Sequence, residues 1–252
     1  MKRVILRADD LGFSEAVNLG IEKTVKEGLI KTVGLMSNMP YSKHGVELLK
    51  SYDICLGLHA NISQGKPLSD PKLIPSITND LGIFKKTKDY GFAKEDIVDL
   101  NEVMIEIEAQ LEMFIKLTGK LPDYIDGHAV ASANFFKGLE IVSKQHNINY
   151  FPISLNESEA IYFKNHKILL HMHSMEPDYE PFLMIKNILS TNKNKEEIDL
   201  FVFHPGYLDE YVINNSSLVL QRVKEASVLS NANTKKWIND NNINIITYNL
   251  LD

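Results

Sequence analysis

The chain opens on Val4-Ile5-Leu6, an apolar run without polar alternation, as in a strand covered on both faces of a parallel sheet. A helix is predicted next. Ser14 is placed to cap it, Val17, Ile21 and Val25 recur at fourfold spacing, and Gly28 stands where a C-terminal glycine belongs. Thr32 to Met36 predicts a second strand, Tyr41 to Lys50 a second helix and Ile54 to His59 a third strand. From Asn61 to Lys94 the chain turns polar, with Pro67, Pro71 and Pro75, and a loop of that length is usually functional. The clearest helix spans about Glu95 to Thr118, with Leu100, Val103, Ile107, Leu111 and Phe114 on one face, and Gly119 and Pro122 end it.

Beyond that helix, strands are expected at Tyr124-Ile125-Asp126, Asn149 to Ile153, Ile168 to Met172 and Leu200 to Phe203. Phe135 to His146 reads as a helix, and two further helices lead to a last strand from Ile243 to Tyr248. No composition break marks a linker. Repeated strand and helix alternation predicts an α/β fold in one domain, residues 1–252, built as a (β/α) barrel or a doubly wound sheet. A barrel of seven or eight strands, distorted from the regular form, suits 252 residues.

Composition narrows the function classes. The chain is 44% hydrophobic and 24% charged, with 27 Lys+Arg against 33 Asp+Glu and a net charge of −6. It lacks the summed positive field that phosphate backbones attract, so nucleic acid is not the expected partner. Its one cysteine, Cys55, lies in Ile54-Cys55-Leu56 as an inert buried thiol would. The first apolar stretch stops at Arg7, short of a signal peptide, and no stretch approaches the ~20 apolar residues of a membrane span. A cytoplasmic protein acting on something water-soluble is expected.

Catalytic side chains in such barrels sit at the carboxyl ends of strands. Four strand ends here carry ionisable groups: Asp9-Asp10, His59, Asp126-Gly127-His128, and His204-Pro205-Gly206. Adjacent carboxylates repel unless solvent, a proton or a cation separates them, and both reach one site only if the chain turns there, which Gly12 permits. His59 and His128 with an aspartate make the two-imidazole, one-carboxylate set that holds a divalent metal and leaves positions open. Asp126 lies two residues before His128, on the same strand face, where it would orient a ligand or contact substrate. The sharp turn after Phe203 aims His204 at the barrel mouth, where an imidazole can serve as proton donor. His171-Met172-His173 is a rival pair, but no acid adjoins it closely, although Glu176 and Asp178 follow. It reads as structural or substrate-facing. His44, His146 and His166 read as exposed, and Trp237 as core.

Arg7-Ala8-Asp9-Asp10-Leu11-Gly12, Gly57-Leu58-His59 with Gly65-Lys66-Pro67-Leu68, Asp126-Gly127-His128, His204-Pro205-Gly206-Tyr207, and Arg222 with Glu225 occur here in that order. This pattern resembles the YdjC/ChbG-type carbohydrate deacetylases, whose barrels are of the polysaccharide-deacetylase-like kind. The resemblance implies a cytoplasmic, metal-dependent hydrolase that removes acetyl groups from N-acetylated sugars such as N-acetylglucosamine or chitooligosaccharides. It implies one divalent ion, magnesium or zinc, on Asp10, His59 and His128, with Asp9 as base, and it makes a homodimer reasonable. Against that resemblance, Ala129-Val130-Ala131-Ser132 stands here where relatives commonly carry further histidines.

The expected chemistry is amide hydrolysis by a metal-activated water, with His204 protonating the departing amine. The polar segment with Tyr90 and Phe92 is placed to cover a sugar. Two alternatives stay open: a sugar-binding or regulatory homologue that no longer turns over, and another metal-dependent barrel enzyme such as a phosphoesterase or lyase. No glycine-rich phosphate loop favours the phosphoesterase.

Overall fold

Alternate residues of the first strand enter different layers, and that parity organises the molecule. In β1 (Lys2–Leu11), Val4, Leu6 and Ala8 join a large apolar core shared with the helices. Ile5 instead joins Cys55, Tyr124, Phe151, Phe163, Leu200, Val202 and Tyr248 in a second cluster. That second cluster fills the inner face of a curled half-barrel sheet.

The computed structural model describes residues 1–91, 95–153, 161–192 and 194–251. Helix α1 (Glu15–Lys26) leads to β2 (Thr32–Leu35), and α2 (Ser42–Leu49) to β3 (Cys55–Ala60). The short α3 (Thr87–Gly91) and long α4 (Leu100–Thr118) precede β4 (Ile125–Gly127), with α5 (Ala133–Gln145) after it. An antiparallel pair follows, β5 (Ile161–Phe163) with β6 (His166–His171). Then come α6 (Pro181–Thr191), β7 (Ile198–Phe203), α7 (Glu210–Asn215), α8 (Leu220–Leu229), α9 (Ala232–Asp240) and β8 (Ile243–Ile245).

The sheet runs β4-β3-β2-β1-β7-β6-β5, with β8 beside the first residues of β1. Among the described residues no pairing joins β4 to β5, so the expected barrel is realised as a half-barrel. Both edges are short. β4 has three residues, and the strand expected from Asn149 reduces to one parallel bridge between Tyr150 and Ile125. Parallel connections leave every strand of the β4 to β7 series pointing its carboxyl end the same way, which gathers their terminal side chains at one mouth.

Several boundaries moved for identifiable reasons. β1 continues through Arg7 and both aspartates because these buried polar groups find one another as partners. α4 begins at Leu100 rather than near Glu95, since the Asp99 carboxylate accepts the N–H groups of Asn101 and Glu102 and caps it there. The polar stretch after Asn61 is a structured excursion, with a turn of 3-10 helix at Pro71–Leu73, a bridge between Thr78 and Phe84, and α3. Buried Glu106 accepts N–H bonds from Leu68 and Ser69, and Gln110 exchanges bonds with the Asn61 backbone, so α4 anchors the excursion. Tyr90 is buried with its hydroxyl donating to the Ile62 carbonyl at 2.7 Å, which corrects the expectation that it faces a sugar. Phe92 lies outside the described residues.

Other expectations resolve simply. Cys55 is buried, and burial pushes its thiol up to about 12, so it is inert as a nucleophile. Trp237 packs against the core and meets Phe182 edge-on. His146 is exposed as expected, but His44 and His166 are half-buried, His44 lying 3.1 Å from the Asn18 amide. Among the described residues no helix is long and apolar enough to cross a membrane.

Candidate active site

The inner-face positions at the mouth are Asp9 of β1, Gly34 of β2, His59 of β3, and Asp126 with His128 at the end of β4. Strand parity puts them there: Cys55, Gly57 and His59 alternate inward along β3, as do Tyr124, Asp126 and His128 across β4. Gly34 is the reason this crowd fits. A Cβ at that position would stand 2.7 Å from Asp9 Oδ1 and 3.1 Å from His59 Cβ.

Asp10 should face the opposite way from Asp9, yet it arrives at the same mouth. Its φ is +74°, in the left-handed region, and the pairing of β1 with β2 shifts register between Ala8 and Leu11. The turn therefore falls on Asp10 itself, ahead of Gly12. A non-glycine residue held in this region is strained and persists where its surroundings fix it. Arg222 does so here, donating Nη2–H to Asp10 Oδ2 at 2.7 Å.

Asp10, His59 and His128, the expected metal set, converge. Asp10 Oδ1 lies 3.0 Å from His128 Nδ1 and 3.7 Å from His59 Nε2, and the two ring nitrogens are 3.2 Å apart. Donors bound at 2.0–2.1 Å around a tetrahedral ion stand about 3.3 Å from one another, so the spacing fits. Asp10 Oδ1 is buried without a hydrogen-bond partner, as an oxygen reserved for a cation would be. The outer nitrogen of His59 is also secured. Its Nδ1–H donates to Asp126 Oδ1 at 2.8 Å, which directs the Nε2 lone pair toward the other two donors.

Charge tells the same story. The cluster packs Asp9, Asp10 and Asp126 against Arg7 and Arg222, three buried carboxylates with two guanidiniums. Burial disfavours a charged His59, but the carboxylates of Asp126 and Asp9 outweigh it and push the ring up to about 9. The cavity pulls positive charge toward His59, and a divalent ion on Nε2 meets the same demand. Burial also opposes ionised Asp10 and Asp126. The His128 and Arg222 charges hold Asp10 well below the usual carboxylate range, and Arg7 with His59 does the same, more weakly, for Asp126.

Asp9 differs from its neighbour. Oδ2 accepts from Arg7 Nη2 at 2.7 Å, whereas Oδ1 is buried and unpartnered. Burial pushes its carboxyl up despite the Arg7 and His59 charges. Arg7 was missed as a site residue by sequence reasoning. It lies two positions before Asp9 and so shares its inner face, a signal available from alternation alone. Its Nη1 reaches Asp126 Oδ2 at 2.8 Å and the Tyr248 hydroxyl at 3.2 Å, and its guanidinium sits over the Tyr124 and Phe151 rings.

His204 follows β7 at the same mouth. Its N–H donates to Glu225 Oε2 at 2.6 Å, its carbonyl accepts from Arg222 Nη1 at 3.2 Å, and its Nδ1 is buried without a partner. Burial first, then the charges of Arg222, His59 and His128, push the ring down to about 3, so it is neutral near pH 7. The segment after His128, expected to depart from the family pattern, has structural employment. Val130 is buried, and Ser132 caps α5 by accepting from Phe135 N–H while donating to Asp96.

His171 and His173 do stack, with ring centroids 5.9 Å apart, but each has its own acid: His171 Nε2 with Asp199 at 2.8 Å, His173 Nδ1 with Glu176 at 2.6 Å. Among the described residues, ligand triads form only from Asp10, His59 and His128 and from Asp9, His59 and Asp126. Arg7 already neutralises the second of these.

A carbohydrate deacetylase of Clostridium beijerinckii is 31% identical over 250 residues, covering 98% of each chain. A crystal structure from Enterococcus faecalis, described provisionally as a cellobiose-phosphate cleavage protein, superposes with a TM-score of 0.82 at 20% identity, covering 99% of this chain and 98% of that one. A family 4 acetyl xylan esterase from Clostridium thermocellum, in complex with a cobalt ion, shares the fold at a TM-score of 0.53 and 10% identity, covering 98% and 89%. The YdjC-like protein family matches residues 3–240, nearly the whole chain, and this protein belongs to that family.

Proposed function

We propose that this protein is a metal-dependent carbohydrate deacetylase that hydrolyses the acetamido group of N-acetylated sugars such as N-acetylglucosamine or its oligomers. The observation that carries this reading is the convergence of Asp10 Oδ1, His59 Nε2 and His128 Nδ1, with the Asp10 oxygen buried and unpartnered. The name of the Clostridium beijerinckii relative supports the substrate class, and the cobalt ion in the esterase of like fold supports the cofactor class. The imidazole ligands suit zinc, while a carboxylate with open positions for water can accept magnesium. A divalent ion there acidifies water and polarises the acetyl carbonyl.

The chain's own groups handle the protons. Asp9 takes a proton from the attacking water on its free Oδ1, while Arg7 holds Oδ2 and fixes the carboxylate plane. Its raised affinity for protons suits a base. Oxygen adds to the acetyl carbon, the C–N bond breaks, and the amine leaves with one proton. His204 delivers that proton. The ring is neutral at rest and must gain a proton before it gives one: the proton that Asp9 removed from water passes across the bound substrate to His204 and on to the amine, and both side chains end the cycle as they began.

The deciding experiment is acetate release from N-acetylglucosamine and its oligomers by chelator-stripped protein before and after a divalent ion is restored. Release that depends on restored metal is expected. Metal binding without acetate from any acetylated sugar would overturn the reading in favour of a binding protein.

A further inference from the structure

Helix α8 buries a face that is not apolar. Arg222, Glu225, Ala226 and Leu229 form its inner stripe, and the first two are charged side chains with almost no exposure. At a spacing of three they are placed to pair with each other. Instead each goes to the active site. Arg222 donates to Asp10 Oδ2 at 2.7 Å and to the His204 carbonyl at 3.2 Å. Its Nε reaches the Leu218 carbonyl and Ser216 Oγ, and its guanidinium lies over the Phe13 ring. Glu225 accepts the His204 N–H on one oxygen and the hydroxyls of Ser174 and Tyr179 on the other.

His204 is thus gripped on both sides of its own main chain by one helix. The following turn is gripped as well. Gly206 N–H donates to the Arg222 carbonyl, and a Cβ on Gly20 of α1 would come within 2.4 Å of Gly206 Cα, so the turn is wedged between α1 and α8. At the other end of the same guanidinium, occupying Asp10 Oδ2 leaves only Oδ1 to face the two histidines and holds the strained backbone at φ +74°.

We propose that Arg222 and Glu225 are positioning residues through which α8 couples metal loading to the placement of His204. Arg222 makes Asp10 a one-oxygen donor and ties it to the His204 carbonyl. Glu225 sets the His204 main chain without touching the metal set. This coupling rests on the metal-dependent reading above, and its test separates the two.

Chelator-stripped wild-type protein and the variants Arg222→Met, Arg222→Lys and Glu225→Gln are titrated with Co2+, following calorimetric affinity and the visible absorption of the bound ion. Acetate release is measured in parallel. Arg222→Met should weaken Co2+ binding about 10–100-fold and alter the absorption band, as loss of a group that orients a ligand does. Arg222→Lys, which keeps charge but not the two-armed geometry, should recover part of that affinity. Glu225→Gln should bind Co2+ within about twofold of wild type yet lose roughly tenfold or more in kcat, with KM little changed. Circular dichroism and thermal melting establish folding, and if Arg222→Met does not fold, the loss in Arg222→Lys carries the comparison. Wild-type affinity in both Arg222 variants, or equal loss of Co2+ affinity in Glu225→Gln, overturns the coupling while leaving the deacetylase reading intact. Failure of the wild-type protein to bind Co2+ overturns both.

Discussion

Two pairs of histidines lie at strand ends in this fold, and among the described residues only one pair joins a candidate metal set. His59 and His128 come from β3 and the end of β4, strands that neighbour each other, and their nitrogens meet 3.2 Å apart with Asp10. His171 and His173 come from one strand end, share a direction, and stack, yet each is absorbed by a separate carboxylate. Parity explains the difference. In β6 the inward positions are Ile168 and Leu170, so His171 points to the helical layer, where it meets the Phe201 ring and Asp199. Histidine at a strand end is therefore not enough; the residue must fall on the inward step of the alternation, among carboxylates that leave an unpartnered oxygen.

The widest separation between the two pairs is expected from alanine substitution. Asp10→Ala, His59→Ala or His128→Ala should each remove stoichiometric metal and reduce acetate release by roughly a thousandfold or more, since the first coordination layer and its water are lost together. His171→Ala should leave acetate release within about twofold. Metal content by elemental analysis and steady-state acetate assays check both, and comparable losses from His171→Ala would erase the distinction.

The next largest effect splits two adjacent aspartates. Asp9→Asn removes the proton acceptor while leaving the Asp10, His59 and His128 donors in place, so metal should be retained and turnover should fall about 10²–10⁴-fold. Full turnover in Asp9→Asn would assign the base elsewhere. His204→Gln should also keep its metal, with a loss of about a hundredfold in kcat and little change in KM. Smaller again is Gly34→Ala, where the added methyl presses on Asp9 Oδ1 and His59 Cβ. A loss of about tenfold in kcat, with the fold intact by circular dichroism, is expected from displacing a base by a few tenths of an ångström.

Much of the convergence was legible because each candidate ligand follows a buried strand, where an ionisable group stands out. His59, His128 and His204 needed no more than that. What could not be read is direction. Strands of a parallel sheet are apolar on both faces, so Ile168-Leu169-Leu170 gives no sign of which step faces inward, and the fate of His171 stayed open. Asp10 was named, but not the way it arrives: alternation sends it away from Asp9, and its own left-handed backbone, rather than Gly12, returns it. Arg7 looked like the end of a strand. A charge inside an apolar run is inconspicuous as an interior residue until Asp9, Asp126 and Tyr248 are seen around it. The open edge of the half-barrel depends on long-range pairing at β4 and β5, which local patterns do not encode.

The smallest expected effect lies at the His171 and His173 pair and is one of stability. Asp199 accepts from Lys2 Nζ at 2.7 Å, His171 Nε2 at 2.8 Å and Asn192 Nδ2 at 3.2 Å. Burial alone would raise its pKa, but the hydrogen bonds from His171 and Lys2 outweigh burial and hold the carboxyl below its ordinary value. A folded-state pKa below the unfolded one means that folding favours the ionised form. The stabilisation is therefore complete above the unfolded value of 3.8 and fades as pH falls through the lower folded value. Asp199→Asn should cost about 1 kcal/mol near neutral pH, at the modest end because asparagine keeps the shape and an accepting oxygen and Lys2 also donates to the Asn194 carbonyl. The gap in urea midpoint between wild type and variant should narrow as pH drops from 5 to 3, while acetate release at neutral pH stays unchanged. A gap that held constant across that range would show that Asp199 stabilises by shape rather than charge. A loss of acetate release would place the β6 histidine inside the catalytic machinery after all.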